Sequence, residues 1–510
     1  MNKVIRKNYG GKKIEVFNNA ITFIIVFVVL IYLQFSSGIT RDRYVGDAWE
    51  YAAIGDSLFA SGSFRLLDIE SPIKVWGGGD YRGFAFPILL GVCQQLDLIL
   101  GIHSSWWILS SLLYSLLFLI YIRFLQEIGI RKEKNFTFVR SIISFFLLLI
   151  FFYGLIIYAL TDVLASFLAI MAAWIILVAL KKRENQTYIW LFAGGAVAYL
   201  AYNIRTVYML EIIGLVFTAV LYETMMSRKD VTNNNYVSRI RNPFIALLAM
   251  ITGIYSAALP QIYINYNRYR LLSPKVQVNG LFAQQLWWGI GMDRYGTYIG
   301  TDNELKVQMK FINATGLAIQ SVFEKEGYEI SMKSYILAFM KFPLEFIAIL
   351  WKHIWNAMFI LFPETYVQDV TIDRSILAIG GLFIVILSLF LFAYDIKNGF
   401  SIFCSSSANK EHKSDMVLRV FVIISLLLPT FAIMLGALEE RYLLVLYLLI
   451  YGKVSDCKAD YLLIRQNWKQ LLIKVVIGLI IAFTALSIES GILAELQGVD
   501  GIVPLMFNGK

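Results

Sequence analysis

Long apolar runs separated by short polar segments dominate the chain. A helix needs about 20 mainly apolar residues to cross a bilayer, and eleven runs approach that length. The pattern predicts an all-α polytopic membrane protein with about eleven transmembrane helices, or up to thirteen if two further apolar stretches also cross. The predicted spans are 19–37, 106–126, 141–160, 162–180, 188–204, 206–224, 243–262, 374–394, 416–436, 439–453 and 470–488.

The polar segments between these runs differ in charge. Lysine and arginine gather at the N-terminus and in five later segments, and cytoplasmic loops of membrane proteins carry such an excess. We therefore expect the N-terminus and these five segments on the inner side of a plasma membrane. The five segments are 131–134, 181–183, 228–241, 397–413 and 453–469.

This topology bears on the two further apolar stretches, 84–101 and 343–362. The first contains Gln94, Gln95 and Asp97, which are costly inside a bilayer, and only an odd number of crossings returns the chain to the inner side. We expect both stretches to lie along the outer interface as juxtamembrane helices. If 343–362 crosses instead, the topology after it inverts.

Two external segments result, within a single integral membrane domain that covers residues 1–510. The first runs from about 38 to 105 and the second from about 263 to 373. We expect each of them to contain one of the two interfacial helices.

The composition agrees with a membrane protein. Of the 510 residues, 58% are hydrophobic and only 16% are charged, against about 25% charged in ordinary soluble domains. The net charge of +9 comes from the basic loops, so no nucleic-acid partner is predicted. The three cysteines and three histidines form neither a CxxC pair nor an HExxH motif, and a zinc site is not expected.

Asp47, Glu50 and Tyr51 stand at positions i, i+3 and i+4 of the first external segment. If the segment is helical, they share one face. A carboxylate pair beside an aromatic ring can act as a general base, bind a sugar hydroxyl or hold a divalent metal ion. The same residues also fit a solvated helix that Asp47 caps. Spacing alone leaves both interpretations open.

Arg82 follows the glycine-rich stretch Trp76–Tyr81 and precedes the first predicted interfacial helix. A guanidinium at this place can bind a phosphate through two parallel hydrogen bonds. Arginines at helix ends also extend to the interface merely to remain solvated. The glycines do not form a nucleotide-binding P-loop, because no GK[ST] follows them.

Charged residues also occupy three hairpin tips on the predicted outer side. Asp162 lies at the first tip, Arg205 at the second, and Glu439, Glu440 and Arg441 form the third. Charges at the ends of apolar spans suit a polar site at the membrane surface. An ion pair between Asp162 and Arg205, or simple capped turns, would account for them equally well.

The second external segment is rich in aromatic and polar residues. Asn265 lies among tyrosines at its start, and Trp287-Trp288 and Met292–Tyr295 follow. Such rings suit a carbohydrate-binding surface, because they stack on the faces of sugars. They are equally typical of the aromatic belt at the level of the lipid headgroups.

These motifs, in this order and on one predicted side, resemble the GT-C superfamily of membrane glycosyltransferases. More narrowly, the chain looks like the bacterial branch related to protein O-mannosyltransferases and the lipid A aminoarabinose transferase. The resemblance covers about 450 residues. It rests on Gly46–Ala52, Arg82–Gly91, Thr161–Leu164, Asn203–Thr206, Asn265–Pro274 and Arg441-Tyr442.

The resemblance implies a sugar donor linked to polyprenyl phosphate, whose lipid tail lies in the membrane, and an unidentified lipid, glycan or protein acceptor. Asp47 would deprotonate the acceptor hydroxyl, which attacks the anomeric carbon with inversion while the phosphate leaves. Glu50 would orient the acceptor or a divalent metal ion.

The resemblance also assigns the remaining charged residues. Arg82 and Arg205 would bind the departing phosphate, where developing negative charge favours preorganised cations. Asp162 and Arg441 would orient the site. The other predicted substrate-binding residues are Tyr51, Asn265 and Glu440.

The main alternative is a flippase for lipid-linked oligosaccharides or a polysaccharide polymerase. A transporter should show interrupted helices near the middle of the membrane and internal repeats. The sequence shows no convincing repeat, and its charges gather at one predicted face. We therefore expect an enzyme that acts at the outer face of a bacterial plasma membrane.

Overall fold

The protein is helical through most of its length. The computed structural model describes residues 2–61, 82–130, 138–184, 186–229, 236–276, 281–299, 305–360, 366–367, 375–404 and 410–486. The first nine helices are α1 Asn2–Ser37, α2 Gly46–Ser61, α3 Ala85–Leu100, α4 Ser105–Glu127, α5 Phe138–Ile157, α6 Thr161–Lys182, α7 Thr187–Ile204, α8 Met209–Lys229 and α9 Tyr236–Tyr269.

The second half combines further helices with three short strands. The helices are α10 Leu281–Gly291, α11 Ala314–Lys325, α12 Met332–Lys341, α13 Pro343–Met358, α14 Ser375–Cys404, α15 Lys410–Ile433, α16 Leu444–Ser455 and α17 Cys457–Ala485. The strands are β1 Met292–Ile299, β2 Leu305–Ile312 and β3 Tyr366–Val367.

Within the described residues, eight helices are long and apolar enough to cross a membrane, which confirms a multi-pass membrane protein. They coincide with eight of the eleven predicted spans. The eight are Glu15–Ser37, Ser105–Glu127, Phe138–Ile157, Thr161–Lys182, Thr206–Ser227, Arg241–Tyr269, Ile376–Asp395 and Lys413–Ile433.

The three other predicted spans are also helical but are not among these eight. Predicted span 188–204 falls in α7, and residues 470–485 of predicted span 470–488 fall in α17. Residues 487 and 488 lie outside the described residues. The predicted start of span 439–453 is wrong, because α16 begins only at Leu444, after a 3-10 turn at Glu440–Leu443.

The two predicted interfacial helices are short. Helix α3 is apolar but only 16 residues long, shorter than the roughly 20 residues that a bilayer requires. Helices α12 and α13 meet at an angle of 108° and would form a ninth candidate only if the bent pair is one span. Their placement along the outer interface stays a prediction.

The second external segment contains a small sheet that the all-α prediction did not include. Strand β1 pairs antiparallel with β2, with Thr297 opposite Gln308, and parallel with β3. The prediction of a sugar-stacking surface or an aromatic belt is wrong for Trp287. Its ring is buried against Phe323 at a centroid distance of 5.7 Å, in a small core formed by helices α10 to α13.

Helix α6 is the central helix of the bundle. Most of its apolar residues are buried inside the protein, 78% over its most apolar stretch, whereas a helix that is apolar on all sides could also face lipid. The first residues of α6, Thr161 and Asp162, are therefore enclosed by neighbouring helices and not exposed to lipid. This placement brings Asp162 within reach of charges from several other segments.

Candidate active site

Charged side chains from five separate segments meet at one end of the helix bundle. The segments are the start of α2, the residues before α3, the start of α6, the connection between α7 and α8, and the tip before α16. The charged residues that they bring together are Asp47, Glu50, Arg82, Asp162, Arg205, Glu439 and Arg441. We call this set the charged cluster.

Arg82 binds all three residues that share a face of α2. Its Nη2 donates to Asp47 Oδ1 at 2.6 Å and to Glu50 Oε2 at 2.7 Å, while its Nε donates to the same Glu50 oxygen at 3.1 Å. Its Nη1 donates to the Tyr51 hydroxyl at 2.9 Å. The spacing of Asp47, Glu50 and Tyr51 therefore forms one binding face. Asp47 lies in the first turn of α2.

A close backbone contact holds Arg82 in place. A side chain at the next residue, Gly83, would put its Cβ 1.8 Å from the backbone oxygen of Asn203. Only glycine allows this approach. Asn203 in turn accepts a hydrogen bond from the Ala85 backbone N–H at 2.9 Å, so the end of α7 fixes the start of α3.

Asn265 lies at the other end of this amide network and outside the charged cluster. Asn203 donates to Gln261 at 2.9 Å, and Gln261 donates to Asn265 at 3.1 Å. The Asn265 side chain donates to the carbonyls of Ser273 and Lys275, both at 2.7 Å. These bonds secure the loop after α9, and substrate binding by Asn265 stays a prediction.

Asp162 and Arg205 form the ion pair that was one of the two alternatives for these tips. Arg205 Nη1 also lies 3.5 Å from the Thr161 hydroxyl. The guanidinium stacks over the ring of Tyr442 at 4.5 Å. Because Asp162 is 1% exposed, this ion pair forms the most deeply buried part of the charged cluster.

Arg441 connects the Asp47–Arg82 pair with the Asp162–Arg205 pair. Its Nη1 lies 3.4 Å from Asp47 Oδ2 and 3.6 Å from Asp162 Oδ2. Its Nε donates to Glu439, two residues earlier. One guanidinium therefore faces carboxylates from α2, α6 and the tip before α16.

Glu440 points away from the charged cluster. Its Oε1 lies 3.0 Å from Nη1 of Arg294, a side chain 2% exposed. The same guanidinium donates to the carbonyls of Asn356 and Phe359, so Arg294 ties the sheet to α13. Glu440 is thereby part of a structural contact, whereas its neighbour Glu439 belongs to the cluster.

The sequence assigned no specific role to three residues that lie in or against the cluster, namely Glu439, Tyr442 and Tyr295. Glu439 was one of the charged residues of the third hairpin tip, but nothing in the sequence distinguished it from Glu440. Tyr442 carries Arg205 on its ring, and its hydroxyl is hydrogen-bonded to that of Tyr295. The sequence named each tyrosine within a motif, Met292–Tyr295 and Arg441-Tyr442, but gave no signal that the two rings meet.

Burial separates the carboxylates of the cluster. Asp47 is 29% exposed, whereas Glu50 is 2% exposed. Burial by itself would raise the pKa of Asp47, but the positive charges of Arg82 and Arg441 outweigh it and hold that pKa well below its ordinary value. Burial raises the pKa of Glu439 to about 7, with Arg441 opposing the rise and Asp47 adding to it.

The sequence left open whether Asp47 and Glu50 hold a divalent metal ion. Both carboxylates accept hydrogen bonds from Arg82, which already supplies a positive charge between them. Within the described ranges, no group of three or more His, Cys, Asp or Glu side chains could hold a metal ion. A divalent metal ion at Asp47 and Glu50 stays one of the alternatives that the sequence left open.

Comparison with known proteins gives one distant structural likeness. No protein-family model matches the sequence, and no curated protein matches it. The crystal structure of the apo Archaeoglobus fulgidus oligosaccharyltransferase aligns with 91% of this chain and 54% of that chain, at 13% identity and a TM-score of 0.41. The chain thus spans about half the length of that protein. A likeness at this level does not assign a family or an activity.

Proposed function

We propose that this chain is a membrane glycosyltransferase of the GT-C type. It takes a sugar from a polyprenyl-phosphate donor and transfers it with inversion to a hydroxyl of a lipid, glycan or protein acceptor. The observation that carries the proposal is the convergence of Arg82, Arg205 and Arg441 with four carboxylates at one end of an apolar bundle.

The arginines are suited to the donor phosphate. Guanidinium groups bind phosphate through charge-assisted, often bidentate hydrogen bonds. Arg82 and Arg205 are 15% and 19% exposed, so each can be approached without unfolding the site. The carboxylates that they contact hold them in position until a phosphate competes for the same N–H groups.

Asp47 is the carboxylate best placed to meet an acceptor. It is the most exposed acid of the charged cluster. In the proposed step, the acceptor oxygen bonds to the anomeric carbon and loses its proton toward Asp47. The bond from that carbon to the phosphate oxygen breaks, and its electron pair leaves with the phosphate. Glu50 and Tyr51 fix Arg82 beside the reacting groups.

The outer face of the membrane is the proposed location. Helix α6 begins with Thr161-Asp162 at the charged cluster and ends with Lys181-Lys182. Its 22 residues correspond to roughly 33 Å, about the thickness of the hydrocarbon core. Because basic ends lie on the cytoplasmic side, the charged cluster is assigned to the opposite side.

A donor panel tests the proposal. Purified protein in lipid is incubated with polyprenyl-phosphate sugars carrying a radiolabelled lipid, together with membranes that contain acceptors. Wild type should release polyprenyl phosphate from one donor, and Asp47→Ala should abolish this release. Asp42→Ala is the matched control, because Asp42 is an exposed acid in the turn before α2. Equal release by wild type and Asp47→Ala would refute the role of Asp47.

A further inference from the structure

Glu439 is a buried carboxylate for which the proposed reaction has so far given no role. It begins the tip before α16 in an extended conformation, and the 3-10 turn Glu440–Leu443 follows it. It is 5% exposed. Its carboxylate accepts a hydrogen bond from Arg441 Nε.

The charges of the cluster do not balance. Among the described residues, it contains four carboxylates and three guanidinium groups. Glu50 accepts two hydrogen bonds from Arg82, and Asp47 faces both Arg82 and Arg441. Asp162 lies between Arg205 and Arg441. Glu439 faces Arg441, a cation that it shares with Asp47 and Asp162.

This imbalance makes Glu439 the carboxylate that gains most from a proton. A buried charge without a cation of its own is costly, and the group tends to become neutral instead. Ionised Glu439 adds a fourth negative charge beside three positive ones. Neutral Glu439 leaves the other three carboxylates matched by three guanidinium groups.

We propose that Glu439 is the final acceptor of the proton that the acceptor hydroxyl loses during sugar transfer. This inference rests on the proposed function. The acceptor oxygen forms its bond to the anomeric carbon, and the phosphate leaves with the electron pair of the broken bond. Asp47 first takes up the proton. The proton then passes, directly or through one water molecule, from Asp47 to the carboxylate of Glu439.

The arrangement around Arg441 supports this path. Asp47 lies against Nη1 of the guanidinium, and Glu439 lies against Nε of the same group. The two carboxylates are therefore separated by one planar group. Uptake of the proton by Glu439 also offsets the charge that develops on the phosphate, which changes from a diester to a monoester.

The pKa values of Asp47 and Glu439 are shifted in opposite directions, and the difference favours transfer of a proton from Asp47 to Glu439. The pKa of Asp47 is held low, chiefly by Arg82 and Arg441, so a proton does not stay there. Burial raises the pKa of Glu439 to about 7. Pairs of acids whose environments separate their pKa values are typical of acid–base catalysis. The titratable and charged groups that face Glu439 are Asp47 from α2, Asp162 from α6, Tyr295 from β1, and Arg441 and Tyr442 from its own tip.

The protonation of Glu439 can be measured without any substrate. Infrared difference spectra of the full-length protein in lipid, recorded between about pH 5 and pH 9, report the C=O band of each carboxyl group that titrates there. Wild type should show a carboxyl group that loses its proton near pH 7. Glu439→Gln should lack this band, and Glu440→Gln, altered on the adjacent residue, should retain it. Persistence of the band in Glu439→Gln would overturn the proposal.

Glu439→Asp provides a second test in case the Glu439→Gln protein does not fold. It keeps a carboxyl group at the same place but shortens it by one methylene, so the band should persist at a shifted pH. An unshifted band in a folded Glu439→Asp protein would place the titrating group elsewhere and overturn the proposal.

The donor-release assay tests the same proton during turnover. In wild type, kcat/KM should fall about tenfold per pH unit below the pKa of the essential base. Glu439→Gln should be slower by about 10²- to 10⁴-fold and should lose this dependence. If wild type releases polyprenyl phosphate but Glu439→Gln keeps the wild-type pH profile, the role of Glu439 is wrong and the proposed function stands. If wild type releases none from any donor, the proposed function fails instead.

Discussion

The contact between Arg82 and Glu50 provides the most specific test of the site geometry. Glu50 is 2% exposed and accepts hydrogen bonds from two nitrogens of Arg82. Arg82→Met keeps much of the side-chain volume but leaves Glu50 buried without this cation. Removal of one partner from a buried ion pair costs about 3–5 kcal/mol, and we expect a loss of unfolding free energy in this range.

A double-mutant cycle separates the pair from its surroundings. Glu50→Gln alone should cost less, about 1–3 kcal/mol, because Arg82 still donates to Asp47 and Tyr51. The double variant Arg82→Met/Glu50→Gln removes the charge from both positions. We expect it to be more stable than the sum of the two single losses predicts, with a coupling energy of about 2 kcal/mol.

The assay is unfolding in mixed detergent micelles, followed by loss of helical circular dichroism. The pair Lys341–Glu326 provides a matched control, because its nitrogen and oxygen are 2.6 Å apart, close to the 2.7 Å of Arg82–Glu50, but its side chains are 45% and 42% exposed. Exposed pairs contribute at most about 1 kcal/mol. A coupling energy for Arg82–Glu50 no larger than that of the control pair would refute the described burial of Glu50.

Three further predictions address other parts of the site. Gly83→Ala should destabilise the protein by about 1–3 kcal/mol in the same unfolding assay, because its Cβ would overlap the Asn203 backbone, whereas Gly380→Ala, with open space around it, should not. Arg205→Ala should slow polyprenyl-phosphate release about 10²- to 10³-fold, and an unchanged rate would exclude it from phosphate binding. Burial raises the pKa of Glu439 from its ordinary value of 4.5 to about 7, so the folded protein holds this proton more tightly than the unfolded chain. The free energy of unfolding should therefore fall as the pH rises from about 4.5 to about 7. Glu439→Gln should remove this slope, and an unchanged slope would contradict the shift.

Local spacing predicted the part of the site that lies on one helix. Asp47, Glu50 and Tyr51 share a face because residues three and four apart are neighbours on any α-helix, and Arg82 binds all three. Charges at the ends of apolar spans were equally informative. Their position at one side was predicted from hydropathy together with the distribution of lysine and arginine, and the Asp162–Arg205 ion pair agrees with it.

The remaining features depend on contacts that spacing does not determine. Glu439 and Glu440 are adjacent acids, and only the 3-10 turn decides that the first faces Arg441 and the second faces Arg294. Asn265 was predicted to bind substrate, and in the structure its side-chain amide donates hydrogen bonds to the carbonyls of Ser273 and Lys275. The β1–β2 sheet was missed although β2 alternates apolar and polar residues from Leu305 to Phe311. The prediction assigned the whole of 263–373 to an external segment with one interfacial helix and did not use this period of two.

The central claim is that this chain transfers a sugar from a polyprenyl-phosphate donor. The most direct measurement follows radiolabelled polyprenyl phosphate released from a donor panel by purified wild type and by Asp47→Ala in lipid, with acceptor-containing membranes supplied. The account predicts release from one donor by wild type and none by the variant. No release from any donor would contradict the account and favour a flippase or a polysaccharide polymerase.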